Sequence, residues 1–113
     1  MYKEVLNKLN IFKKRRDHMV KALNDLPEVN CSVPGGAFYA FPDFGYYMKK
    51  SFRGKTILNS FDLCDIFLNE GHVATIPGDG FGAPGYVRFS YAIDEKTIDD
   101  GIGRVKKIIN DIK

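Results

Sequence analysis

The chain has no tryptophan, only two cysteines and two histidines, and no long apolar run. Each scarcity excludes something. No stretch approaches the ~20 apolar residues that a membrane span needs, so no membrane role is expected. Residues 1–14 are lysine-rich and amphipathic but lack the uninterrupted apolar core of a secretory signal. Cys31 and Cys64 stand far apart with no CxxC, which fits free thiols in a reducing cytoplasm, the expected location. His18, His72, Cys31 and Cys64 show no metal-ligand spacing, so no metal is expected. No nucleophile elbow or partnered cysteine suggests a Ser/His/Asp or Cys/His enzyme. Charge of one sign is also scarce: the net charge is +3. It is unevenly spread, at +4 over residues 1–26 and −3 over residues 60–92. The one basic run, Lys13-Lys14-Arg15-Arg16, reads as the solvated face of a helix. The alternative, a nucleic-acid patch, has no accompanying recognition motif.

What is present is enough for one domain. The chain has 113 residues, 44% of them hydrophobic, with nine Phe and six Tyr. Val5, Leu9, Phe12, Arg16, Met19, Leu23 and Leu26 recur at alternating spacings of four and three, one face of a helix that Pro27 must end. Arg16 interrupts that stripe. Its stem is expected to pack while its head reaches water, with a structural ion pair as the other reading. Residues 32–36 form a turn signal, and Ala37-Phe38-Tyr39-Ala40-Phe41 reads as a buried strand closed by Pro42. Residues 43–58 read as an irregular aromatic loop. Asn59-Ser60-Phe61-Asp62 resembles a helix start. Phe61, Cys64, Phe67 and Leu68 are its expected apolar side, and Gly71 its expected stop.

Residues 73–76 then read as a strand. Residues 77–85 form a Pro/Gly loop, and residues 86–92 alternate as a second strand. Asp94 is a candidate cap for a last helix whose stripe is Ile98, Ile102, Val105, Ile109 and Ile112. Gly101 and Gly103 weaken that helix. The expected fold is α/β, an α-β-α-β-β-α sandwich with helices on one face of a small mixed sheet. A further short strand near residues 29–33 is an additional expectation.

Two features bear on chemistry. Gly78-Asp79-Gly80-Phe81-Gly82 looks like a phosphate loop, but such a loop must deliver the chain into a helix whose amides bind the anion. Here it leads into a strand, so that reading fails. Arg88 is the other feature. It lies within an apolar strand, on the face of Tyr86 and Ser90, away from Val87, Phe89 and Tyr91. A charge in that setting must meet an anion or water. A guanidinium suits a carboxylate because its planar fork makes two parallel hydrogen bonds. The residues alone leave two readings open: a structural or exposed arginine, or a carboxylate ligand.

Several motifs, in order, carry a resemblance. Residues 33–42, Val-Pro-Gly-Gly-Ala-Phe-Tyr-Ala-Phe-Pro, resemble the P-x-G-A-F-Y-x-F strand of the class I aminotransferases. Val73-Ala74-Thr75-Ile76-Pro77-Gly78, then Phe81-Gly82, Gly85 and Val87-Arg88-Phe89-Ser90-Tyr91-Ala92 resemble that family's V-x-x-x-P-G…F-G…G…R-x-S-[YF]-A segment. Arg15-Arg16-Asp17-x-Met19-Val20 and the trailing helix also fit. The most similar subtype is bacterial aspartate aminotransferase. The resemblance spans essentially the whole chain, residues 1–113, as the C-terminal small domain of such an enzyme.

The resemblance implies the rest. The parent would be a pyridoxal-phosphate-dependent enzyme, a cytoplasmic homodimer. It would move an amino group between aspartate, or a related amino acid, and a 2-oxo acid. Arg88 would grip the substrate α-carboxylate. Phe81 would lie at the edge of the same site, with a loop anchor as its other reading. Gly35 and Gly36 would allow close backbone approach at a domain junction, although an ordinary turn explains them too. The family's S-K motif, whose lysine forms the Schiff base, does not occur here. Neither does the aspartate that pairs with the pyridine nitrogen. The chain alone is therefore expected to hold no catalytic residue, bind no cofactor and be inactive. Phe44, Tyr46, Tyr47, Met48 and Phe52 are expected to form an exposed face that drives self-association. A reading of another class is a free-standing domain that binds a small carboxylate or a protein partner without catalysis.

Overall fold

Helix α1 (Tyr2–Asn24) follows from the four-and-three stripe, and Met19, Leu23 and Leu26 of that stripe are buried, with Val20 beside them. The computed structural model describes residues 2–32, 39–90 and 95–113, with side chains described at 10, 11, 13–32, 39–80, 82–89 and 96–113. The Val5, Leu9 and Phe12 part of the stripe therefore lies outside the described side chains. Arg16 settles as an ion pair with its neighbour, 3.1 Å from the Asp17 carboxylate. After the helix, Asn24 clasps the returning chain. Its Nδ2 donates to the Cys31 carbonyl at 2.9 Å, and its Oδ1 accepts from the Cys31 amide at 2.7 Å.

Helix α2 (Ser60–Gly71) starts as its sequence indicates: the Asn59 side chain accepts from the Asp62 amide at 3.0 Å. The Asp62 carboxylate accepts in turn from the Leu58 amide at 2.9 Å. Carboxylates here also suit the positive end of the helix. Its buried side differs from expectation. Cys64 and Phe67 are buried as anticipated, but Leu63 and Ile66 complete the face, while Phe61 and Leu68 are half exposed. Phe61 and Leu68 are seven residues apart and share the outer side of the helix. The stop also differs. His72, with φ 54°, adopts the left-handed cap, not Gly71. Gly71 serves packing instead: a Cβ there would meet Ile108 Cδ1 at 3.0 Å.

Helix α3 (Glu95–Asn110) buries Ile98, Ile102, Val105 and Ile109, as expected, together with Ile108. Ile112, just beyond the helix, is buried as well. The helix runs through Gly101 and Gly103 and packs against both α1 and α2. That tertiary contact outweighs their local cost. Asp94, the expected cap, lies outside the described residues.

The main sheet contains β1 (Tyr39–Ala40), β4 (Ile76–Pro77) and β5 (Val87–Ser90), in the order β1-β5-β4. Tyr39 pairs with Ser90 and Ala40 with Phe89; Ile76 pairs with Arg88 and Pro77 with Val87. The expected mixed sheet is corrected by this register, because every described pair is antiparallel. The chain between Pro77 and Val87 is too short for the crossover that parallel neighbours require. The strand expected over 73–76 narrows to Ile76–Pro77, since Val73 spends its amide on the Phe67 carbonyl at 3.0 Å. The extra strand near residue 30 is a single bridge from Asn30 to Asp43, and Asp43 bridges on to Tyr86.

Val87 and Phe89 point inward and are buried. Phe89 lies 6.2 Å from the Phe67 ring of α2 and 6.0 Å from that of Phe44. Met19 of α1 and Ile98 of α3 line a cavity together with Phe89, so the helices cover this one face.

Residues 43–58 are not an irregular loop. They hold a single 3-10 turn (Gly45–Tyr47) and a hairpin of β2 (Ser51–Phe52) and β3 (Lys55–Thr56). The hairpin turns at Arg53 and Gly54, with φ 49° and 83°. Positive φ at both central residues suits the right-handed twist of a tight hairpin. Ser51 and Lys113 exchange backbone hydrogen bonds at 2.9 Å, which ties the C-terminus to β2. The expectation of an exposed aromatic face over 44–52 is overturned. Phe44 is wholly buried, Tyr47 and Phe52 nearly so, and Met48 packs on the core. Tyr46 alone of these five is exposed. Phe44, centred among Phe67, Phe89 and Tyr47, draws this segment inward.

Candidate carboxylate-binding site

Strand alternation sends Val87 and Phe89 to the core and Arg88 to the opposite face, as the sequence indicated. That outer face is apolar and partly open. Tyr39, Ile76 and Tyr86 are each roughly 40% exposed on it. Ile76 stands directly across from Arg88 on β4. On the other side, the Arg88 guanidinium carbon lies 4.1 Å from the centre of the Tyr39 ring. Arg88 is half-buried, and its Nε is removed from solvent. Tyr86 is propped edge-on against Phe41, with ring centres 5.5 Å apart.

The loop before β5 is held by close backbone contacts. The Gly78 amide donates to the Tyr86 carbonyl at 2.7 Å, and the Ala83 amide donates to the Gly78 carbonyl at 3.0 Å. No side chain fits at Gly78: a Cβ would lie 2.5 Å from the Ala83 carbonyl oxygen and 2.8 Å from Tyr86 Cβ. Asp79 fastens the loop to α2. Its Oδ2 accepts from the Ser60 amide at 2.9 Å, and its Oδ1 from the Gly85 amide at 3.3 Å.

Residues 78–81 form a 3-10 turn that brings the Phe81 backbone into this loop; the Phe81 side chain is outside the described set. Gly36 also lies outside the described residues. Beside Arg88 the structure places Ile76, its cross-strand partner, and Tyr39, and the loop of Phe81 leads into the same strand. Sequence reasoning missed Tyr39 as a neighbour of Arg88. The signal was present in the strand period, which opposes Tyr39 to Ala40, but the cross-strand register that joins it to Arg88 was not.

A cofactor site is a separate question. Among the described side chains the lysines stand at the surface; Lys50, the one that is half-buried, lies 4.5 Å over the Tyr46 ring. None lies in an enclosed pocket where an amine would be desolvated and fixed for Schiff-base chemistry. The described residues contain no group of three or more His, Cys, Asp or Glu suited to a metal. No described helix is long and apolar enough to cross a membrane. Both thiols are buried, and burial pushes the Cys31 and Cys64 pKa values up.

Comparison with known proteins gives this face a context. Residues 2–105 match the family described as aminotransferase class I and II. The chain is 38% identical over 102 residues to an aspartate aminotransferase of Streptomyces avermitilis, covering 90% of this chain and 25% of that protein. It is 39% identical over 111 residues to a probable aspartate/prephenate aminotransferase of Aquifex aeolicus, covering 97% and 27%. In three dimensions it is similar to the aspartate aminotransferase of Rhizobium meliloti, with a TM-score of 0.86 and 34% identity, over 90% of this chain and 26% of that one. It is also similar to an aromatic aminotransferase of Pyrococcus horikoshii, with a TM-score of 0.82 and 30% identity, over 96% and 27%. The chain spans about a quarter of the length of the relatives it matches. It belongs to the class I and II aminotransferases, on their aspartate aminotransferase-like side.

Proposed function

We propose that this chain acts as the C-terminal small domain of an aminotransferase that moves an amino group between aspartate, or a related amino acid, and a 2-oxo acid. Its contribution is Arg88, which binds the substrate α-carboxylate. One observation carries the reading: a guanidinium held in mid-strand on an outward, apolar sheet face, its carbon 4.1 Å from the centre of the Tyr39 ring. In such a setting a carboxylate meets a planar, partly desolvated fork, where a charge-assisted pair is stronger than in open water. A substrate held at one end by two parallel hydrogen bonds has its reacting carbon placed, which lowers the entropy cost of reaction. The Gly78–Tyr86 loop is the proposed wall of the site, and Phe81 and Gly36 are proposed, by resemblance, as further substrate-binding residues.

Pyridoxal phosphate supplies the electron sink of transamination in enzymes of this family. The isolated chain is proposed to be inactive, because the described lysines stand at the surface and none is enclosed for Schiff-base chemistry. The working enzyme is proposed to be a cytoplasmic homodimer. A chimaera tests the reading. This chain replaces the matching quarter of the Rhizobium meliloti enzyme, and aspartate transamination is measured. Activity that Arg88→Ala abolishes supports it. A folded chimaera whose activity is indifferent to Arg88→Ala refutes it.

A further inference from the structure

We propose that Tyr39 is the positioning residue for Arg88: its ring restrains the guanidinium, and so positions the fork that grips a carboxylate. This rests on the carboxylate reading of Arg88 given above. The geometry is specific. Tyr39 pairs with Ser90, so it lies diagonally across the β1–β5 ladder from Arg88 and on the same outer face. Its ring centre is 4.1 Å from the guanidinium carbon, well within the range of a cation–π contact. Ile76 closes the opposite flank from β4. Nε is removed from solvent, so the inner part of the guanidinium is held within the face. A carboxylate bonds a guanidinium edge-on, in its plane. A ring held over the guanidinium carbon by cation–π attraction restrains the group while leaving the anion's contacts to the N–H donors. Tyr39 thus positions the fork without touching the anion.

A tyrosine at this place also differs from an aliphatic residue in kind. Leucine would cover similar apolar area, but it offers no negative π face to a cation. Phenylalanine would keep that face and lose only the hydroxyl. The pair of substitutions therefore separates ring electrostatics from mere filling.

The test uses the 113-residue chain, isotope-labelled for NMR, with succinate as the carboxylate probe. In the unmodified chain the Arg88 side-chain protons should be shifted upfield by the ring current. Succinate should shift the Arg88 Nε–Hε signal saturably. Tyr39→Phe should retain both effects, with affinity within about twofold. Tyr39→Leu should lose the ring-current shift and weaken succinate binding by about 3- to 30-fold, the scale of a cation–π contact. Equal succinate affinity in Tyr39→Leu overturns the positioning role while leaving the carboxylate reading intact. Loss of binding in Tyr39→Phe shows that the ring face is not the determinant and overturns it as well. A normal ring-current shift with no succinate response at Arg88 in the unmodified chain defeats the carboxylate reading, and this role with it.

Discussion

Gly78→Ala is the substitution whose consequence the structure specifies most closely. The added Cβ would lie 2.5 Å from one backbone oxygen, that of Ala83, and 2.8 Å from another, that of Tyr86. Backbone cannot swing aside as a side-chain tip can, so the loop itself must shift. Overpacking of this kind costs about 1–3 kcal/mol. The shift also strains the 2.7 Å hydrogen bond from the Gly78 amide to the Tyr86 carbonyl, worth about 1 kcal/mol. The expected loss is ~2–4 kcal/mol. Gly80→Ala is the matched control in the same turn, where nothing lies within 4 Å of the new Cβ. It should be neutral, or stabilising by up to about 1 kcal/mol through the unfolded chain. Urea unfolding followed by circular dichroism reads both, and the m-value should be unchanged. Equal midpoints for the two variants would refute the close-approach argument. So would a Gly78→Ala protein as stable as the unmodified chain.

Other consequences are simpler. The Tyr47 hydroxyl donates to the Pro27 carbonyl, so Tyr47→Phe should cost about 1 kcal/mol in chemical unfolding. Desolvation, followed by the charges of Tyr46 and Glu28, raises the Tyr47 pKa above 10.0. Burial likewise raises the Cys31 and Cys64 pKa values above 9.0. A raised acid pKa means that folding favours the protonated form. The contribution of these groups is therefore fully present below pH 9 and falls as pH rises through their folded values, which a pH series of unfolding midpoints checks. The same burial should keep both thiols slow toward a disulfide reagent at neutral pH, with two equivalents released on unfolding. Rapid labelling of the folded chain would contradict their placement.

The helices were legible because their apolar residues repeat with the helical period over three or more turns. The short strands were not. β2 and β3 have two residues each, too few for any alternation, and their hairpin is announced only by Arg53-Gly54. On α2, hydrophobicity alone could not choose between the Phe61/Leu68 side and the Leu63/Ile66 side. Both are apolar, and the choice was made by Phe44, Phe89 and α3 packing from outside the helix. The aromatic cluster at 44–52 was misjudged for a related reason. Aromatic residues in a polar, irregular stretch look unburied until the fold supplies a pocket, and here Phe67 and Phe89 supply it. At the site, strand period was enough to give Arg88 its outward face. Its contact with the Tyr39 ring needed the register between strands distant in sequence, which no local pattern carries. Gly36 and the Phe81 side chain remain expectations of resemblance.

The central claim is that Arg88 binds a carboxylate through its forked, planar head. The most direct measurement is kcat/KM for aspartate in the chimaera carrying this chain, with Arg88→Lys against the unmodified residue. Lysine keeps the charge and loses the fork. Truncating one side of a desolvated charge pair costs about 2–4 kcal/mol, so kcat/KM should fall by roughly 30- to 1,000-fold, with the folded fraction unchanged. A value within about twofold of the unmodified chimaera would contradict the assignment and make Arg88 a structural residue of the sheet face.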